Sequence, residues 1–331
     1  MFDQSILLHH LQPLRSLLDA DAVTELVINK PHEIGIEGRG GWEWVNDDKL
    51  TVNWLETLSN SMANYTKQKI GPQTPICSTS LPTGERVQIV APPACDLGLY
   101  SITIRKPSTR TFGLEELDAG GLFEQTKIAR GRTSVADADL IALKQKGDWP
   151  AFLELAVKSR KNILISGATG SGKTTLSKAL IQLIPPDERL LTIEDTRELI
   201  VPHRNAVHML YSKDGQGQAQ VGAKHLLEAS LRMRPDRILL QELRDGTAFF
   251  YLRNVNRGHP GSITTVHADS AALAFEQLSL LVKESEGGRD LERKDILDLL
   301  HLLVDVVVQC KKVDGRFRVT EIYFEPDTSG M

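Results

Sequence analysis

Cysteine is scarce in this sequence. Only Cys77, Cys95 and Cys310 occur in 331 residues, and no two form a C-x-x-C pair. That spacing excludes a disulfide framework and a zinc ribbon, and leaves buried, reduced thiols as the expectation. A long apolar run is also missing. The most apolar stretch, residues 296–308, is interrupted by Asp298, His301 and Asp305, and is too short and too charged to cross a bilayer. Residues 1–10 carry neither a basic segment nor a cleavage site, so no signal peptide is expected and any membrane contact should be peripheral. An excess of positive charge is absent too: 39 Lys and Arg stand against 43 Asp and Glu, a net charge of -4. No global basic field therefore draws the chain to nucleic acid, and direct nucleic-acid binding is not expected. Long-period repeats and low-complexity segments are missing as well. What remains is a globular composition, 41% apolar and 25% charged, long enough for a large core and about two domains.

The most informative stretch is Asn162-Ile-Leu-Ile-Ser-Gly-Ala-Thr-Gly-Ser-Gly-Lys-Thr-Thr175. It reads G-x-x-x-x-G-K-T, with an apolar strand before it and helical spacing from Leu176 to Ile184 after it. Strand, glycine loop and helix start are the context that a phosphate loop needs. Gly167, Gly170 and Gly172 let the backbone bend, so that N–H groups around Ala168, Thr169, Ser171 and Thr175 converge on one cavity. The helix N-terminus adds partial positive charge there. Lys173 should reach the β- and γ-phosphates of ATP, and the Thr174 hydroxyl should ligate Mg²⁺.

Upstream, residues 1–108 read as a small α+β module on an antiparallel sheet. Leu7–Leu18 and Leu50–Lys69 have helical spacing, and Thr24–Asn29, Glu33–Glu37, Trp42–Val45, Ser80–Val90 and Leu99–Arg105 read as strands or turns feeding strands. Arg86 opens one of these strands and Arg105 closes another, positions where solvated charges are common. Residues 109–150 read as a linker with connecting helices, extended over 124–137. From 151 to 331 strands and helices alternate and end in a hairpin at Val313-Asp-Gly315, which predicts a mostly parallel α/β core with an antiparallel edge.

Chemistry in such a core sits at the carboxyl ends of neighbouring strands. Two acidic strand ends meet that need: Thr192-Ile-Glu-Asp-Thr-Arg-Glu198 and Ile238-Leu-Leu-Gln-Glu-Leu-Arg-Asp245. Hydrolysis uses one carboxylate to hold water on Mg²⁺ and another to orient the attacking water. Glu194 suits the first role and Glu242 the second, whereas Asp195 and Asp245 fit as helix caps. A third patch, Arg257 to Ala268, places His259 before a strand and His267 after it, where His267 could sense the γ-phosphate.

The order of these patches is specific: phosphate loop, T-I-E-D box, R-P-D-x-I-L-L-x-E-L-R-D strand, then G-H-x-G-S-I-T-T-x-H-A. It resembles the secretion ATPase superfamily, the motors of type II secretion, type IV pili and type IV secretion. The segments L-P-T-G-E-R-V-Q-I and S-I-T-I-R-K-P-S are similar to the Vir-type traffic ATPases of type IV secretion and conjugation. The resemblance implies a RecA-like P-loop ATPase domain behind a smaller N-terminal domain, a homohexameric ring, and ATP bound between the domains with Mg²⁺. It implies a cytoplasmic ATPase associated peripherally with the inner membrane and with secretion-channel proteins. By the match, Lys173 and Thr174 bind phosphate and Mg²⁺, Glu194 is the acidic-box carboxylate, Glu242 the catalytic carboxylate and His267 the histidine-box residue. Arg86 and Arg105 match arginines that reach from the N-terminal domain to the nucleotide phosphates. Two features depart from the pattern: Gln241 stands where relatives carry Gly or Ala, and the 106–150 connector is longer, which fits an N-terminal domain seated over a neighbouring subunit.

The expected function is thus an ATP-hydrolysing motor of a type IV secretion or conjugation system. The alternatives are a type II secretion or pilus-retraction motor and a DNA-translocating ATPase, with a small-molecule kinase as a further class. Assembly motors commonly carry a four-cysteine metal module, which three scattered cysteines cannot build. A kinase would pass phosphate to an acceptor with little release to water.

Overall fold

A computed structural model describes residues 4–107, 111–124, 126, 135–213, 217–256 and 258–326. Most of the expected extended connector, the tip of the 212–222 loop and Arg257 lie outside these residues. The N-terminal part opens with α1 (Gln4–His10), one 3-10 turn (Gln12–Leu14) and α2 (Arg15–Asp19). Pro13 accounts for the break in what the spacing gives as one helix, since its ring cannot occupy a helix interior. There follow β1 (Glu25–Ile28), β2 (Glu33–Gly38), β3 (Gly41–Asn46), α3 (Val52–Tyr65), β4 (Ile76–Ser80), β5 (Arg86–Val90) and β6 (Ser101–Arg105). The strands make one sheet in the order β3-β2-β1-β6-β5-β4, antiparallel throughout. Thr51 caps α3 by accepting from the Trp54 N–H at 3.2 Å. Leu55, Leu58 and Met62 of α3 are buried with Leu7, Ile28, Ile89 and Ile102, each worth about 1.5–3 kcal/mol of transfer free energy.

After the exposed α4 (Leu114–Ala119) come α5 (Val135–Lys146) and α6 (Trp149–Lys158). Leu140 of α5 is fully buried in one core with Phe152 and Val157 of α6 and with Ile163 and Ile181. The second connecting helix is thereby a packed part of the following α/β layer.

That layer comprises β7 (Ile163–Ser166), α7 (Lys173–Ile181), β8 (Leu190–Glu194), β9 (Ala206–Leu210), α8 (Ala223–Ser230), β10 (Arg237–Leu240), α9 (Thr247–Asn256), β11 (Ile263–Val266), α10 (Ala271–Lys283), α11 (Arg293–Leu303), β12 (Val306–Val313) and β13 (Arg316–Tyr323). Its strands form two sheets, β10-β8-β9 and β11-β7-β12-β13, parallel except for the β12–β13 hairpin. β10 and β11 are stitched edge to edge by side chains: Ser262 Oγ donates to Ile238 O at 3.0 Å and Thr265 Oγ1 to Gln241 O at 2.9 Å. Asn162 aligns the start of β7. Its Oδ1 accepts from the Gly261 and Ser262 N–H groups, and its Nδ2 donates to Leu303 O. All three cysteines are buried free thiols. Among the described residues, no helix is long and apolar enough to cross a membrane.

The two parts pack on each other along β8 and β9. Val90, Ala94 and Cys95 enter the same core as Leu191, Val207 and Met209, and the Leu210 N–H donates to Ala94 O at 2.9 Å. Farther along, Arg189 is fully buried and donates to Asn29 Oδ1 at 2.9 Å and Thr103 Oγ1 at 3.3 Å. Arg204 pairs with Glu33 at 2.8 Å and lies 5.0 Å over Trp44, while Arg234 pairs with Glu37 and lies over Trp42.

Candidate nucleotide site

The phosphate loop follows β7, whose four residues are all buried. Glycine is required at 167: φ is +154°, and a Cβ there would collide with Cys310 O and the Ser171 hydroxyl. Gly172 has φ +92° and forms the left-handed N-cap of α7. Ala168, Thr169 and Gly170 form the exposed rim, Ser171 is buried beneath it, and Thr174 and Thr175 stand in the first turn of α7. The loop therefore places a row of N–H groups and a helix N-terminus around one opening.

Lys173 folds back across this opening. Its Nζ donates to Gly167 O at 2.7 Å and Ala168 O at 2.9 Å, and lies 3.4 Å from His267 Nδ1. Burial pushes the Lys173 ammonium below its ordinary range, against an opposing pull from Glu242. His267 follows β11 and sets its Nε2 3.1 Å from Glu242 Oε1. Glu242 follows β10, and its other oxygen accepts from Arg244 Nη2 at 2.6 Å. Burial would raise the Glu242 carboxyl, but the hydrogen bond and charge of Arg244, with His267 and Lys173, outweigh it and hold the group below the usual carboxylate value. Glu242 is thus an ionised carboxylate between three basic groups. Gln241 fits without disturbing the strand end, because its backbone donates to Ile193 O and accepts from Thr265.

The two acidic strand ends meet through Arg244, which also donates to Asp195 Oδ2 at 2.7 Å. Asp195, read from the sequence as a cap, is instead the carboxylate of the first box that joins the site, whereas Asp245 does cap, accepting from the Thr247 N–H at 2.9 Å. Glu194, expected to hold water on the metal, already has its carboxylate engaged by the protein. It is completely buried, and its oxygens accept from Glu198 N at 2.8 Å, Leu199 N at 2.7 Å and Thr192 Oγ1 at 2.9 Å. Burial opposes its charge, but these bonds and one with His208 hold its carboxyl below the ordinary value. Such a group fixes the turn that presents Asp195. His259 faces Pro235 O at 3.2 Å, away from this cluster.

Arg86 and Arg105 do not join it. They sit side by side in the β5–β6 register, with Arg105 also opposite Glu25. Glu25 is buried within reach of the charges of Arg189 and Arg234, which precede β8 and β10. Both arginines therefore lie at the amino ends of the parallel strands β8 and β10, and the loop and Glu242 at the carboxyl ends. Five residues of β8 alone separate those ends, roughly 15 Å at 3.3 Å per residue.

The donors facing the loop suit Mg²⁺, a hard cation that takes oxygen ligands and completes its shell from phosphate and water. Thr174 in the first turn of α7 carries a hydroxyl, Glu242 a carboxylate beside His267, and Asp195 a carboxylate joined to Glu242 through Arg244, while no group of three or more His, Cys, Asp or Glu that could hold a metal ion occurs among the described residues.

The same geometry has relatives. The chain is 54% identical to the "Type IV secretion system protein VirB11" of Bartonella henselae, over 97% of this chain and 94% of that protein. It is 43% identical to "Protein VirB11" of Rhizobium radiobacter, over 96% and 93%. The crystal structure of the VirB11 ATPase from the Brucella suis type IV secretion system, in complex with sulphate, superposes with a TM-score of 0.91 at 42% identity, covering 97% of this chain and 98% of that one. Residues 9–324 match the family described as "Type II/IV secretion system protein". With loop, acidic strand ends and histidine strand in one arrangement across nearly its whole length, this chain belongs to that type II/IV secretion system family.

Proposed function

We propose that this protein is an ATP-hydrolysing motor of a type IV secretion or conjugation system. The observation that carries the reading is the continuous cluster Lys173–His267–Glu242–Arg244–Asp195 at the mouth of a phosphate loop. Loop N–H groups and Lys173 hold the β- and γ-phosphates. Thr174 and Asp195 would hold Mg²⁺, which would supply charge neutralisation at the phosphates. Glu242, ionised, orients the attacking water; His267 beside it senses the γ-phosphate. Lys173 exchanges its bonds to Gly167 and Ala168 for phosphate oxygens, and His267 follows because it touches both Lys173 and Glu242. Glu194 acts at one remove, by fixing the turn before Asp195.

Arg86 and Arg105 are supplied to this site by a neighbouring copy, because their own domain is held at the far end of the same chain's strands. The site is then complete only in an oligomer, which we assign as a hexameric ring. An arginine arriving from the next subunit couples phosphate charge to movement between subunits. The ring works at the cytoplasmic face of the inner membrane, on channel proteins of the secretion apparatus. The high identity to type IV secretion proteins favours this over a pilus or type II motor.

The test is phosphate release from ATP alone. The parent should release phosphate; Glu242→Gln should remain folded and bind ATP but release almost none. Full turnover by Glu242→Gln would remove it as the water-orienting group, and absence of release by the parent would remove the motor.

A further inference from the structure

Phe317 is a large apolar side chain left 58% exposed, and it lies against the phosphate loop. A Cβ on Gly172 would stand 3.0 Å from its Cγ. The sequence alternation of β13 does not put it there. Glu321 and Tyr323 face α10: Glu321 accepts from the Ala271 N–H at 3.0 Å, and the Tyr323 ring stands edge-on to Phe275 at 5.1 Å. Simple alternation would place Phe317 on the same side. The register shifts between Gln309 and Cys310, however, with Gln309 opposite Glu321 and Cys310 opposite Val319, so that Thr320 is an extra residue. One extra residue exchanges the two faces. Val319 and Phe317 therefore share the face of Cys310, which packs with Ile165, Leu180 and Ile181 under the loop.

The direction of a bound nucleotide follows from the strand order β11-β7-β12-β13. Glu242 and His267 stand on the β10–β11 side of β7. A triphosphate whose reacting end lies there must run its other end toward β12 and β13, where Phe317 waits. We infer that Phe317 is the stacking platform for the nucleobase, with Val319, 45% exposed on the same face, as its apolar border. The inference rests on the nucleotide-site reading above and names the part that reads the base. Aromatic stacking needs only a π-face, so the platform binds a base without hydrogen-bond discrimination among purines.

Calorimetric binding of ATP and of inorganic tripolyphosphate, each with Mg²⁺, tests it. Phe317→Ala should bind ATP about tenfold more weakly, as expected for loss of one base–aromatic stack, and bind tripolyphosphate as the parent does. Phe317→Leu, which keeps apolar bulk over Gly172, should behave like Phe317→Ala, and Phe317→Tyr like the parent. Unchanged ATP binding by Phe317→Ala, or equal losses for ATP and tripolyphosphate, would overturn the inference; the second result would reduce Phe317 to loop packing. If Lys173→Ala bound both ligands as well as the parent, the nucleotide site itself would fall, a failure distinct from either.

Discussion

Replacing Glu194 by Gln separates a metal-bound carboxylate from one that fixes a turn. The side chain is completely buried, and one oxygen, Oε2, accepts from both the Glu198 and Leu199 N–H groups at 2.8 and 2.7 Å. A hydrogen bond to a charged group contributes about 1.5–3 kcal/mol. Gln is isosteric but neutral, and any orientation that keeps its oxygen at these donors turns its NH₂ toward Thr192. Discounting for partial retention, the loss should be about 3 kcal/mol, or on the order of 10 °C in melting temperature for a domain of this size. The folded carboxyl sits below its unfolded value, so its contribution is present above the ordinary carboxylate range and is lost as pH falls through the folded value. The gap between parent and variant should therefore be full at neutral pH and close in acid. Thermal melts across pH, with Mg–ATP titrations at a temperature where both are folded, measure this. Unchanged melting with a collapse of Mg²⁺-dependent ATP binding would refute the reasoning and return Glu194 to the metal.

Arg244→Ala frees Glu242 and Asp195 from their shared partner. Steady-state kinetics should show kcat about a hundredfold lower with KM little changed, since misplacement of a catalytic group by about 1 Å costs that much, and Arg244→Lys should rescue only in part because an ammonium lacks the two-pronged donor. In a pH profile of kcat/KM, which reports the free enzyme, Glu242 is depressed and must be charged, so activity should persist through neutral pH and fall only below the ordinary carboxylate range. The alkaline limb should begin below the ordinary lysine value, because burial lowers Lys173.

Much of this architecture is legible in the sequence, for identifiable reasons. Strands β1, β2 and β6 and helix α3 fall on the stretches that alternation and helical spacing mark. The phosphate loop is legible because strand, glycines and helix occur together. Strand β4, Ile-Cys-Ser-Thr-Ser, is not, because it is half polar and offers no alternation. Arg244 and Asp195 escape for another reason. Each has an ordinary local role, and their meeting depends on β8 and β10 being neighbours. Glu194 illustrates the converse: sequence shows an acid after a strand but not that backbone N–H groups consume it. Phe317 is hidden by one extra residue in β13, which no count of alternation along that strand discloses.

The most direct test of the shared site mixes two inactive chains. Lys173→Ala lacks the phosphate grip, and Arg86→Ala/Arg105→Ala lacks the clamp. If loop and arginines come from different subunits, equal co-assembly should restore phosphate release at about a quarter of the interfaces, those pairing an intact loop with a neighbour that keeps its arginines. Mixed assemblies as inactive as their components, under conditions where the parent oligomerises and turns over, would contradict the account.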